Sequence, residues 1–199
     1  MPTSRRRLLE AAASLAALVH FPCVASDSMI YEGQSFPRSV RVAGVELRLN
    51  GTGVRQVAWF KGYLAALYLS APAASAAQAV AMSGPKRIHL RMLQEVPAGE
   101  FSKAVRKGLM RNVAQAQQAA LADRTEQFVR QIDALGKVRP KDVVDLDFEP
   151  GRGMTLTVNA SLRGEPIPGE DFYAALLRSF VGDVPYDEKM RAGLLGKPA

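Results

Sequence analysis

Apolar and charged residues alternate between Val40 and Leu49. Val40, Val42, Val45, Leu47 and Leu49 are interleaved with Arg41, Glu46 and Arg48 around Gly44. A side-chain period of two predicts a half-buried hairpin there. Asn50-Gly51-Thr52-Gly53 then has the composition of a turn, with two glycines free to take positive φ. Val54–Phe60 and Gly62–Ser70 are rich in aromatic and branched residues and are predicted as consecutive strands or one long bent strand. Ala73–Met82 is predicted as a short Ala-rich helix. In Lys86–Leu93, Ile88, Leu90 and Met92 alternate with Arg87, His89 and Arg91, which predicts a strand with His89 on its solvent face.

Between Ala98 and Leu135 the period lengthens to that of a helix. Phe101, Val105, Leu109, Val113 and Ala116 form one apolar face, and Asp123-Arg124-Thr125-Glu126 has capping-box spacing, so a second helix is expected to start there and stop at Gly136. Asp142–Phe148 and Met154–Leu162 are expected as a hairpin through the turn Glu149-Pro150-Gly151-Arg152-Gly153. Glu170–Val181 and Tyr186–Leu195 are expected as closing helices separated by Gly182 and Pro185. Strands first, helices in mid-chain, a hairpin and then helices predict an α+β domain: a largely antiparallel sheet with one face covered by helices.

Composition narrows the chemistry. The chain is 48% hydrophobic, too apolar for disorder, and its 199 residues suffice for one core without disulfides or metal. Residues 1–25 have the pattern of a cleaved signal peptide: Arg5-Arg6-Arg7, an apolar stretch from Leu8 to Val19, and Cys23-Val24-Ala25 as a cleavage site. That stretch is about 12 residues long, short of the roughly 20 that span a bilayer. Ser4–Leu9 is also similar to a twin-arginine signal. The expected domain is therefore 26–199, in the periplasm. Loss of the leader removes three arginines and Glu10, leaving 23 basic and 18 acidic residues, a net charge of +5, with no cysteine and His89 as the remaining histidine. No metal site and no cofactor are expected from such a residue set, and zinc-hydrolase, cysteine-protease and thioredoxin chemistry are excluded.

Gly51-Thr52-Gly53 lacks a third glycine and runs into a strand, so it is not a nucleotide-binding loop. Lys103, Arg106, Lys107 and Arg111 form a basic strip on the outer face of the long helix. It reads first as a solvated face; it allows association with a membrane surface, and nucleic acid is not an expected partner. Arg55 begins a strand otherwise made of Val57, Trp59 and Phe60. It is either an exposed strand arginine or an inward guanidinium, which needs an anion.

Gly44–Arg55 and Lys61–Leu69 resemble the opening of the chalcone isomerase superfamily, in its bacterial, exported chalcone isomerase-like branch. Glu100-Phe101-Ser102, Ile167–Phe172, Gly182-Asp183-Val184-Pro185 and Leu194-Leu195-Gly196 agree in order, so the resemblance spans roughly Phe36 to Gly196. It implies an open-faced β-sandwich, a long antiparallel sheet under a helical layer with a ligand cleft between. In the plant enzymes an arginine, a threonine and a tyrosine, with lysine and asparagine, cyclise a chalcone; related members bind fatty acids. Arg55 matches the arginine. Tyr63 stands at the threonine, Phe101 at the tyrosine, Met92 at the lysine and Gly108 at the asparagine, with Asn112 one turn further along the same face as a partial substitute. Ser179 stands at a substrate-contacting position. Each missing donor costs about 2.7–4 kcal/mol of transition-state stabilisation by analogy with oxyanion holes.

The leading expectation is thus a periplasmic module that binds a small amphipathic anion, a fatty acid or an aromatic acid, without cyclising chalcones. The expected ligand-binding residues are Arg55, Tyr63, Phe101, Asn112 and Ser179, with Leu109 and Met92 as further apolar wall and no protein counter-ion at Arg55. One alternative is an isomerase, an intramolecular lyase acting on an enone-like substrate, with Arg55 and Tyr63 stabilising an enolate. The other is a structural or partner-binding protein, which a closed cleft and an Arg55 salt bridge to a protein carboxylate would favour. The oligomeric state is left open.

Overall fold

The computed structural model describes residues 27–197 of the chain, so the leader expected at 1–25 lies outside the described residues. Strands β1 (Ser28–Tyr31) and β2 (Gln34–Pro37) pair as a hairpin. Strands β3 (Ser39–Val42) and β4 (Val45–Val57) form the hairpin read from alternation, with Ala43 and Gly44 at positive φ in its turn. Then follow β5 (Phe60–Leu69), α1 (Ala76–Ala81), β6 (Lys86–Met92) and β7 (Val96–Pro97). The long helices are α2 (Ala98–Asn112) and α3 (Gln115–Asp133). The chain continues through β8 (Lys137–Val138), β9 (Val143–Glu149), β10 (Gly153–Val158) and β11 (Ser161–Leu162) to α4 (Glu170–Val181) and α5 (Glu188–Leu194).

Seven strands form one antiparallel sheet in the order β11-β10-β9-β6-β5-β4-β3, and the helices cover one of its faces. The α+β class and the helix-covered sheet agree with the expectation. Alternation along the strands sorts the side chains. Tyr63, Ala65, Leu67 and Leu69 of β5, Ile88, Leu90 and Met92 of β6, and Val144, Leu146 and Phe148 of β9 point to the helices. There they meet Phe172, Leu176 and Phe180 of α4, the most buried helix.

The other face is not bare. Leu64, Ala66 and Tyr68 form a second core with Phe36 and Leu47 beneath the β1–β2 hairpin, so β5 is buried on both sides. This corrects the placement of His89. It is not a solvent-face residue: its ring lies edge-on to Phe36 and Tyr68, and its Nδ1 is 2.7 Å from Asp145 Oδ1. Two register positions away, on the same face, Arg87 donates two 2.6 Å hydrogen bonds to Asp147 across the same strand pair.

Two further expectations are corrected. Residues 50–53 are not a turn; they continue β4, with a register shift between Leu49 and Gly51. Gly51 and Gly53 are needed because α5 lies on them: a Cβ on Gly53 would fall 2.6 Å from the Met190 carbonyl oxygen, and one on Gly51 would overlap the Gly193 carbonyl. The second long helix does not start at Asp123. The break falls at Val113-Ala114, where the backbone is extended, and the Gln118 side-chain amide donates to the Met110 and Val113 carbonyls at 3.0 and 3.3 Å, closing the end of α2. Thr125 donates back to the Leu121 carbonyl, and Glu126 accepts two hydrogen bonds from Arg106 instead of capping.

At the start of α4, both terminal nitrogens of Arg124 donate to Asp171, at 2.6 and 2.7 Å. The hydrogen bonds from Arg124 hold the Asp171 carboxyl below its ordinary value of 3.8. A depressed carboxyl contributes stability above its unfolded value and loses it as pH falls through the folded value. Asp171→Asn is expected to cost ~0.5 kcal/mol near pH 7, because the carboxylate is largely exposed, and next to nothing near pH 3. Urea unfolding at the two pH values measures the difference.

Candidate functional site

The β4–β5 hairpin sets the site. Arg55 and Tyr63 are opposite each other in register, immediately before a shift at Gln56 that spends Gly62 as an extra residue. Such irregularities re-aim neighbouring side chains. Both residues face the helices and line an open cleft of about 490 Å³, bounded also by Val57, Phe60, Val96, Phe101, Ala104 and Tyr186, with Lys103 and Lys107 among its polar walls.

Behind the cleft lies an apolar cavity of about 60 Å³, room for roughly two waters, walled by Leu90, Val105, Phe128, Leu156, Leu176 and Phe180. Tyr63, Phe101, Ala104 and Tyr186 belong to both. The Tyr63 and Phe101 rings are 6.1 Å apart, and Tyr186 meets Phe180 edge-on at 5.0 Å. Aromatic side chains thus separate a charged vestibule from an apolar chamber.

Arg55 has a counter-ion, contrary to the expectation. Its Nη1 lies 3.5 Å from Asp187 Oδ2, with the Arg55 side chain 30% exposed and Asp187 12% exposed. Asp187 is shared further: it accepts from the Met190 backbone as the N-cap of α5 and from the Gln56 backbone. The contact is long and single. Arg55 Nε and Nη2 have no hydrogen-bond partner among the described residues, and a guanidinium carries five donors in a fork suited to a carboxylate. The other charges are mostly spent within the protein, Glu95 on Lys137 and Glu100 on Lys103; Lys107 has no ion pair among the described residues.

Burial pushes the ionisation of Tyr63 and of Tyr186 upward, aided at Tyr63 by the neighbouring Tyr186, and opposed at Tyr63 by Arg55 and at Tyr186 by Ser179 and then Arg55. Phenols held neutral can donate hydrogen bonds but are poor general bases at neutral pH. The Tyr186 hydroxyl is buried without a hydrogen-bond partner. Ser179 lies beside it, and because the serine hydroxyl donates to the Ala175 carbonyl at 3.3 Å, its oxygen stays open to accept from the tyrosine. A Cβ on Gly108 would come within 2.6 Å of the tyrosine hydroxyl, so the space left by the absent side chain at Gly108 is what Tyr186 fills.

Arg55, Tyr63 and Phe101 therefore meet at one cleft. Asn112 and Ser179 do not line it. The Asn112 amide donates to the Gly108 and Val184 carbonyls at 3.0 and 2.8 Å and accepts from the Val184 backbone, which ties the end of α2 to the loop before α5. Ser179 is fully buried in α4. Met92 and Leu109 belong to the core behind the cleft. Sequence reasoning missed Tyr186 and Asp187, although an aspartate just before a helix is an N-cap signal. A larger concavity of about 700 Å³ lies elsewhere, walled by Arg130, Arg139 and Arg163 together with Val158 and Leu162, and it shares Leu135 and Val138 with the wall of the apolar chamber.

A family model described as chalcone isomerase-like matches residues 28–196. Among solved structures, a fatty-acid binding protein of Arabidopsis thaliana superposes with a TM-score of 0.64 at 16% identity, covering 85% of this chain and 96% of that one. No curated protein sequence matches significantly.

Proposed function

The chain belongs to the chalcone isomerase-like family, and we propose that it is a periplasmic protein of the exported bacterial branch that binds a small amphipathic carboxylate, a fatty acid or an aromatic acid, without cyclising it. The observation that carries this reading is the pairing of a half-exposed guanidinium with a neutral phenol at the mouth of an apolar chamber. The carboxylate takes the free donors of Arg55 and the Tyr63 hydroxyl. The outer cleft, at about 490 Å³, is within the ~300–1,000 Å³ usual for ligand pockets. A long acyl chain needs more than the inner 60 Å³, so its entry requires the Phe101 and Tyr186 rings to turn aside. The structural neighbour is itself described as a fatty-acid binding protein, which supports the ligand class. The signal-peptide pattern of residues 1–25 supports the compartment.

One observation favours the structural reading instead. Asp187 already neutralises Arg55 and at the same time caps α5, an arrangement that would hold the hairpin to the helix with no ligand at all. Native mass spectrometry of protein purified from a periplasmic extract separates the two. A stoichiometric carboxylic acid released on denaturation is the expected result. Empty protein that also ignores fatty acids in calorimetric titration points to the structural role.

A further inference from the structure

We propose that the tip of the β4–β5 hairpin docks on an anionic phospholipid bilayer and brings the mouth of the Arg55 cleft to the membrane surface. What is delivered there rests on the ligand-binding reading; the docking itself does not. Eight large hydrophobic residues are exposed among the described residues, and three of them fall within four positions of this tip: Val57 at 57%, Trp59 at 92% and Phe60 at 43%. Singly scattered apolar residues are ordinary on a soluble surface, but a contiguous cluster marks an interaction site.

The tip is held in this pose. Ala58 takes a φ of 53°, in the left-handed region, and the Gln56 side-chain amide donates to the Ala58 carbonyl at 2.7 Å. Trp59 therefore projects outward from a closed turn. A projecting indole suits the membrane interface, where its ring meets acyl chains and its N–H stays among head groups.

Position and charge agree with one another. Val57 and Phe60 are at once tip residues and walls of the cleft, and Lys103 and Lys107 line the same mouth. Glu95 and Glu100 of that mouth are each occupied by a lysine, whereas Lys107, and Arg111 one turn on, have no ion pair among the described residues. A cation free to meet phosphate, Lys107, thus shares the mouth with an apolar projection, the combination that anionic bilayers attract.

Trp59 is the sole tryptophan of the chain, so its emission reports on the tip directly. The protein is titrated with vesicles of equal parts phosphatidylcholine and phosphatidylglycerol, and with phosphatidylcholine alone. With the anionic vesicles a blue shift, quenching by acyl-brominated lipid and weakening by added salt are expected. In co-sedimentation, Trp59→Ala is expected to lose about tenfold in apparent affinity, some 1.4 kcal/mol. Lys107→Gln is expected to lose about fivefold. Emission unmoved by anionic vesicles overturns the proposal. So does emission already blue-shifted without vesicles in a particle of dimer mass, which would make the tip a contact between copies. Fatty-acid titration in vesicle-free buffer keeps the two readings apart: a normal titration with no vesicle response removes the docking alone, and a vesicle response with no titration removes the ligand alone.

Discussion

Gly53→Val is expected to destabilise the protein by ~3 kcal/mol or more in urea unfolding, at the upper end of overpacking penalties. The added Cβ would fall 2.6 Å from the Met190 carbonyl oxygen and 2.7 Å from the Met190 Cα. These are backbone atoms of α5, which cannot rotate away as a side-chain end could, so the helix must lift from β4. Met190 and Leu194 are almost wholly buried by that contact, and exposing side chains of this size costs ~1.5–3 kcal/mol each. Asp187, the cap of α5 and the partner of Arg55, would move with the helix. Gly62→Ala is the matched control: its Cβ would meet Phe60 at 3.5 Å, an ordinary contact, and a change within ~0.5 kcal/mol is expected.

Arg55→Ala and Asp187→Asn are expected to shift fatty-acid affinity in opposite directions. Hydrogen bonds to a charged group are worth about 1.5–3 kcal/mol, so deletion of the guanidinium should weaken binding roughly ten- to a hundredfold. Asparagine at 187 keeps an oxygen for the Met190 amide, and it is as good an N-cap as aspartate, so α5 should stay seated. What it removes is the negative charge 3.5 Å from Arg55, which competes with an incoming carboxylate. An increase in affinity of about tenfold is expected, corresponding to about 1.4 kcal/mol of lost competition. Calorimetry on delipidated protein measures both. If the pair serves only to join hairpin and helix, both variants lose stability and neither changes ligand binding.

Most elements of the sheet and helical layer were legible because their signal is local. The β3–β4 hairpin, β6 and the apolar face of α2 follow from side-chain period alone, since one face of each meets the core. The capping-box spacing at Asp123 misled because Glu126 is claimed by Arg106 from the neighbouring helix, a contact no local pattern announces. The β1–β2 hairpin was missed as well. It is four residues a side, and it turned His89 from a surface residue into the partner of Asp145 beneath Phe36.

The candidate site divides the same way. Arg55, Tyr63 and Phe101 were nominated by the pattern of residues and by family resemblance, and β pairing with helix packing brings them to one mouth. Asn112 was nominated because it lies one helical turn from Gly108, but its amide is consumed by the loop that packs against α2.

By itself, the sequence determined the α+β class, the alternation that builds the sheet, and a residue inventory without the thiols and imidazoles of most catalytic centres, because each depends on near neighbours or on composition. Only the tertiary structure decided that Gly51 and Gly53 are bedding for a helix, that Asp187 faces Arg55, and that Tyr186 fills the place left by a missing side chain. Those contacts join segments more than 70 residues apart, and their geometry exists only once α5 has closed on β4.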